Sequence, residues 1–134
     1  VVAGTVDANG GLRPSVASPL RRTISEQSSA TMRGMLSTAR AVLNQRMPDK
    51  DKPGYDVGGK TGTSETLING SYTMDETVAT YIGYGGANRP EYVIMVRVAA
   101  PGKRKNLQGN IHAAPIFTDV SNWMIDYMKL APKG

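Results

Sequence analysis

Lys60-Thr61-Gly62-Thr63 is the stretch of this chain whose side chains could do chemistry together. Lys60 offers a positive charge on a long stem, and the hydroxyls of Thr61 and Thr63 can donate to a carboxylate. An acyl-transfer site needs such a set: a cation for the substrate carboxylate and a donor for the oxyanion that develops on the attacked carbonyl. Gly62, with no side chain, lets another backbone lie against it as an added strand would. Strict β alternation puts Lys60 and Thr61 on opposite faces, so both serve one ligand only if it sits at the strand's edge. Read without that chemistry, the same residues make a solvated edge strand whose lysine discourages pairing between molecules.

No nucleophile accompanies this set. None of the serines is followed by lysine three positions later, and no Ser-x-Asn occurs. The lack of cysteine excludes a disulfide framework, a Cys-ligated zinc site and a thiol nucleophile. His112 could be drawn into a triad with a serine and Asp119 or Asp126, but a lone histidine ahead of a helix fits a capping or surface position better. No His, Asp and Glu residues share metal-ligand spacing, so neither a metal nor a cofactor is expected. Met32, Met35 and Met47 read as core fillers and Trp123 as packing between helix and sheet.

The elements that must hold Lys60 to Thr63 follow from periodicity. Thr23-Ile24-Ser25-Glu26 fits a capping box, and Met32, Met35, Leu36, Ala39, Val42, Leu43 and Met47 then form one helical stripe that Pro48 ends. Tyr55 to Ser64 alternates as a strand, with glycines that are costly there unless another backbone comes close. Leu67 to Asp75 reads as a loop turning at Asn69-Gly70. Thr77 to Tyr84 and Tyr92 to Ala99 are rich in β-branched and aromatic residues, and Gly85 to Pro90 joins them as a hairpin. A second helix is expected over Ala114 to Leu130, with Pro115 in its first turn. Its apolar face is Phe117, Val120, Met124, Tyr127 and Met128, widened by Ile116 and Trp123. Residues 1 to 22 show little periodicity; Asn9-Gly10-Gly11 is a turn signal, and Val1 to Gly4 reads as the tail of a helix. The fold class is therefore α/β of the α+β kind: a three-stranded antiparallel sheet, ordered 55–64, 77–84, 92–99, with a helix on each face.

The chain has 134 residues, 40% of them hydrophobic, enough for one domain or part of a larger one. No apolar run approaches the roughly 20 residues that span a bilayer. The net charge is +5, spread along the chain except at Lys103-Arg104-Lys105. That run reads as a solvated loop, with contact to an anionic polymer or partner as the second reading. No aromatic residues interleave with it to stack bases, so no nucleic-acid partner is expected.

Lys-Thr-Gly is one of the three motifs of serine penicillin-binding proteins and β-lactamases. Here it lies on a glycine-rich strand followed by two strands and a terminal helix. The sequence resembles the C-terminal part of the transpeptidase domain of class B penicillin-binding proteins. The resemblance is carried by Ala8-Asn9-Gly10-Gly11, the helix from Thr23, Gly54 to Thr63, Val78 to Tyr84 and Ala113-Ala114-Pro115-Ile116-Phe117. It implies a partial β-lactamase/penicillin-binding transpeptidase fold, with residues 1–134 as the C-terminal portion of the domain. It implies a parent D,D-transpeptidase whose serine is acylated by a D-Ala-D-Ala terminus, then passes the acyl group to an amine of a neighbouring peptidoglycan strand. Lys60 and Thr63 take catalytic roles, the Thr63 backbone N–H being an oxyanion donor, and Thr61, Gly62 and Thr63 contact substrate. The implied partners are stem peptides, β-lactams, the remainder of the transpeptidase domain and other cell-wall synthesis proteins. The implied location is extracytoplasmic, with an anchor outside this sequence. The family places the nucleophile and the middle motif before the Lys-Thr-Gly strand, so this chain alone is expected to be inert. A fragment of a serine β-lactamase and a non-catalytic β-lactam sensor or binding module are the other readings. A Ser-x-x-Lys upstream separates an enzyme from a sensor with a decayed site.

Overall fold

Ser25 starts the first helix, two residues later than a capping box at Thr23 places it. In this computed structural model, which describes residues 4–15, 21–100 and 105–134, α1 spans Glu26–Asn44. Ser25 has extended backbone, and its hydroxyl accepts from the Ser28 N–H at 3.0 Å. Glu26 does not reach back to Thr23; Arg22 holds its carboxylate at 3.1 Å. At the other end Lys50 satisfies three free carbonyls, those of Asn44, Gln45 and Met47, at 2.7, 3.1 and 2.6 Å. This is the cation that a helix C-terminus favours.

The sheet has the expected order and extends further than expected. Besides a small hairpin of β1 (Gly4–Val6) and β2 (Leu12–Pro14), the chain forms β3 (Asp56–Ile68), β4 (Ser71–Gly86) and β5 (Tyr92–Val98), antiparallel in the order β3-β4-β5. The β1–β2 turn is the Asn9-Gly10 signal made real. Gly10 has φ +81°, and the Asp7 carboxylate accepts from the N–H groups of Asn9 and Gly11 at 3.0 and 2.8 Å. Gly4 thus belongs to a strand, not to a helix tail; residues 1–3 lie outside the described residues, as do Lys103, Arg104 and Pro19.

The expected loop at Leu67 to Asp75 is also strand, except at its tip. Asn69 and Gly70 both take positive φ, +50° and +81°, the requirement of a two-residue hairpin turn that keeps its strands paired. A bulge interrupts the ladder: Glu65 faces Thr77, but Thr66 faces Thr73.

The core gathers on the face of β4 that carries Ala79 and Tyr81. Phe117 packs there with its ring centroid 4.6 Å from that of Tyr81. Phe117 belongs to α2 (Ala114–Tyr127), which follows a single π-helical turn over Gly109–Ala113. The buried residues of α2 are Ala114, Phe117, Thr118, Ser121 and Ile125. This is a stripe at i, i+3, i+4, i+7 and i+11, and it corrects the expected one. Small and hydroxylated residues let the helix sit close to the sheet. Val120, Tyr127 and Met128 face outward instead, and Trp123 is 57% exposed, stacked on Tyr127.

The α1 stripe is divided in the same way. Met47 is buried, but Met32, Met35 and Val42 stand at half exposure or more, so the first two are not core fillers. The side of α1 turned inward is led by polar groups. Ser37 donates to Asp56 at 2.7 Å and shares a 2.9 Å hydrogen bond with the Tyr84 hydroxyl, on the second face of the sheet. Arg40 reaches across to the first face and is 1% exposed.

Candidate active site

Lys60, Thr61, Gly62 and Thr63 lie mid-strand on β3, opposite Ile82, Tyr81, Thr80 and Ala79 of β4. The exposed Lys60 side chain folds along the strand, and its ammonium donates to the Thr61 carbonyl at 3.1 Å and to Thr61 Oγ1 at 3.2 Å. Alternation therefore does not separate the two: the lysine stem is long enough to bring its charge round the strand to the threonine hydroxyl. Among the described residues β3 pairs only with β4, which leaves its other edge without a strand neighbour.

A cleft of about 600 Å³ opens beside Lys60 and Thr61. Val42 and Leu43 of α1, with Arg46 in the turn that follows it, form one wall, and Asn110 and Ile111 of the π-helical turn form another. Two cations at an apolar hollow suit an anionic group carried on an apolar body. The turn itself is pressed onto the strand. The Gly109 N–H donates to Thr63 Oγ1 at 3.3 Å, and a Cβ on Gly109 would stand 2.7 Å from the Gly62 carbonyl and 2.6 Å from that of Thr80. Only glycine allows that approach. His112 braces the same turn as expected of a capping residue, its Nδ1 accepting from the Gln108 N–H at 2.9 Å.

Under the motif lies a group that sequence patterning passed over. Arg40 clamps Asp51 with two donors, Nε at 2.8 Å and Nη2 at 2.5 Å, and Nη2 also donates to Thr118 Oγ1 at 2.8 Å. Its guanidinium carbon lies 5.3 Å from the Tyr81 ring centre and 5.1 Å from that of Phe117. Burial works against the charge of Arg40, but hydrogen bonding and attraction to Asp51 outweigh it and hold its pKa above the ordinary value. Burial raises the Tyr81 pKa too, opposed by the positive charge of Arg40. Among the described residues the Tyr81 hydroxyl has no hydrogen-bond partner. One signal was available in the sequence. Arg40 falls inside the helical stripe, four residues after Leu36, three before Leu43 and seven before Met47.

Comparison with known proteins matches residues 6–122 to a family described as the penicillin binding protein transpeptidase domain. The chain is 33% identical over 79 residues to "Probable peptidoglycan D,D-transpeptidase PenA" of Neisseria flavescens, covering 59% of this chain and 20% of that protein. It is 31% identical over 114 residues to "Penicillin-binding protein PbpB" of Mycobacterium tuberculosis, covering 78% of this chain and 16% of the other. Among solved structures, penicillin binding protein 3 of Mycobacterium tuberculosis complexed with ampicillin matches at a TM-score of 0.67 and 26% identity. That match covers 98% of this chain and 31% of the other. The chain thus spans a fifth or less of these two curated relatives and under a third of the solved one. The order of strands and the two helices agree with that fold.

Proposed function

The chain belongs to the penicillin-binding protein transpeptidase domain family, and from that premise we propose that it is the C-terminal portion of such a domain in a longer D,D-transpeptidase. It would supply the Lys60 to Thr63 wall of a cleft that takes peptidoglycan stem peptides and β-lactams. The observation that carries the reading is the Lys60 ammonium held against Thr61 Oγ1 on an edge strand, inside the matched residues. A substrate carboxylate set at that edge meets the ammonium and the Thr61 and Thr63 hydroxyls together. The Thr63 backbone N–H then serves the oxyanion formed as an upstream serine attacks, and Gly62 lets the substrate backbone approach. The names of the relatives, transpeptidase and penicillin-binding protein, favour this over a β-lactamase fragment. Such an enzyme works on the outer side of the cytoplasmic membrane. Among the described residues no helix is long and apolar enough to cross a membrane, so anchoring falls to other segments of the longer protein.

The test is acylation by a fluorescent penicillin. In the full-length protein, Lys60→Ala removes the charge aimed at the carboxylate and should slow acylation about 30- to 1000-fold, the scale of losing one such electrostatic contact. Lys60→Arg should restore it only in part, because guanidinium geometry differs. An unchanged rate for Lys60→Ala rejects the assignment. The 134-residue chain alone, without Ser-x-x-Lys, should show no covalent mass gain by intact-mass spectrometry.

A further inference from the structure

None of the Arg40 hydrogen bonds reaches the Lys60 to Thr63 motif, yet among the described residues Arg40 is the most buried charged side chain, at 1% exposure. Its contacts come from four separate parts of the chain. Asp51 lies in the loop after α1, Thr118 and Phe117 lie on α2, Tyr81 lies on β4, and Met47, whose sulfur is 3.5 Å from Nη1, closes the turn after the helix. Charge is costly to bury, and a hydrophobic residue would fill the same space without that cost. What a guanidinium adds is fixed geometry: a planar fork that sets two carboxylate oxygens, with a face that lies over aromatic rings.

The geometry has a route to the motif. Tyr81 is the direct β4 partner of Thr61. Its ring turns back over Gly59, where a Cβ would stand 2.7 Å from both Tyr81 Cε1 and Oη. The backbone one residue ahead of Lys60 therefore rests on that ring. The ring in turn is packed against Arg40 and Phe117. We infer that Arg40 is a positioning residue for the Lys60–Thr61 segment, setting its place through the Tyr81 ring that backs Gly59, with Asp51 and Thr118 holding the guanidinium in register. This deepens the proposed function and rests on it.

The experiment uses the full-length protein and the same fluorescent penicillin, at a temperature below the melting point of every variant. Arg40→Lys keeps the charge and loses the fork. Thr118→Val keeps the shape and removes one hydrogen bond to Nη2, which keeps the test usable if Arg40→Lys does not fold. Tyr81→Leu removes the ring, and Tyr81→Phe keeps it. Small displacements of a positioned group are expensive, so Arg40→Lys and Tyr81→Leu should lower the acylation rate constant about 10- to 100-fold. Thr118→Val should lower it about threefold, and Tyr81→Phe, which keeps the ring, should lower it far less than Tyr81→Leu. The non-covalent step should weaken with the acylation step, since Lys60 itself is displaced. A lower melting temperature with a wild-type acylation constant in Arg40→Lys, Thr118→Val and Tyr81→Leu would make Arg40 purely structural and overturn the inference. A wild-type protein that is not acylated, or that loses nothing on Lys60→Ala, would instead overturn the proposed function beneath it.

Discussion

Tyr81 and Tyr92 are both buried phenols held on the core side of the sheet, yet their surroundings differ. Tyr92 shares a 2.7 Å hydrogen bond with Ser121 Oγ, whereas the buried Tyr81 hydroxyl has no hydrogen-bond partner among the described residues. Burial raises both pKa values above the ordinary one, opposed by Ser121 at Tyr92 and by Arg40 at Tyr81. A raised pKa in the fold means that the folded chain binds the proton more tightly than the unfolded chain. That stability is fully present below the unfolded tyrosine value of about 10, and it is lost as pH rises through the still higher folded values. Urea midpoints should therefore hold steady from neutral pH to about pH 9 and fall above about pH 10. At neutral pH, Tyr92→Phe should cost about 1 kcal/mol, because Ser121 loses its partner, while Tyr81→Phe should be neutral or mildly stabilising. Both substitutions should flatten the alkaline fall. A fall of unchanged steepness in both variants would remove these phenols as its cause.

At the scale of elements, β3 and β4 divide into two parts at the bulge between Glu65 and Thr66. Before it, Val57 to Thr63 lie against Tyr81, Gly109 and the core. Beyond it, the ribbon through Leu67, Asn69-Gly70 and Tyr72 is exposed on both faces. Gly70 at φ +81° has no atom near the place of a Cβ, so a side chain there meets only backbone strain. Gly70→Val should cost about 1–2 kcal/mol in the turn. It should strip amide-exchange protection from Leu67 to Tyr72 while leaving protected those amides between Val57 and Thr63 that pair with β4, since parts with few buried contacts open separately. Loss of protection at Lys60 as well would show one cooperative unit and refute the division. The same ribbon shows what sequence patterning could reach. Asn69-Gly70 announced the turn, but its flanks carry Ser71 and Thr73 in place of strong apolar alternation, so they read as loop. The order of β3, β4 and β5 and the two helices were legible, because glycine turns and β-branched runs mark them. The inward sides of the helices were legible only in part, at Phe117 and Met47. Polar residues take several of the inward positions, Thr118 and Ser121 on α2, Arg40 and the half-buried Ser37 on α1, and periodicity counts only apolar ones. For the same reason the Lys60 motif was found and the Arg40 cluster beneath it was not.

At the scale of the whole molecule, that inversion leaves apolar surface outside. Met32 and Met35 lie exposed on α1, Trp123 and Tyr127 on α2, and Ile82, Val93 and Met95 on the second face of the sheet, away from the part at Tyr84 and Asp56 that α1 covers. Val93 and Met95 stand opposite Tyr84 and Ile82 in the ladder, so these three exposed side chains form one patch across β4 and β5. Beside it runs the edge of β5, without a strand neighbour among the described residues. Soluble monomers seldom leave apolar patches and unpaired strand edges together in the open. In the longer protein proposed above, other segments of the domain cover them. Alone, the chain should cover them with copies of itself. Sedimentation velocity should show the mean mass rising with concentration in the micromolar range. Added salt should not dissolve these species, for the net charge of +5 opposes association and screening it only removes that opposition. Val93→Lys with Met95→Lys places two like charges on the patch and should shift the chain toward monomer without altering β4–β5 pairing, because both side chains point away from the Phe117 face. A chain that stays monomeric at every concentration, or a double lysine variant that associates as strongly as the original, would show that this patch is tolerated in water and drives nothing.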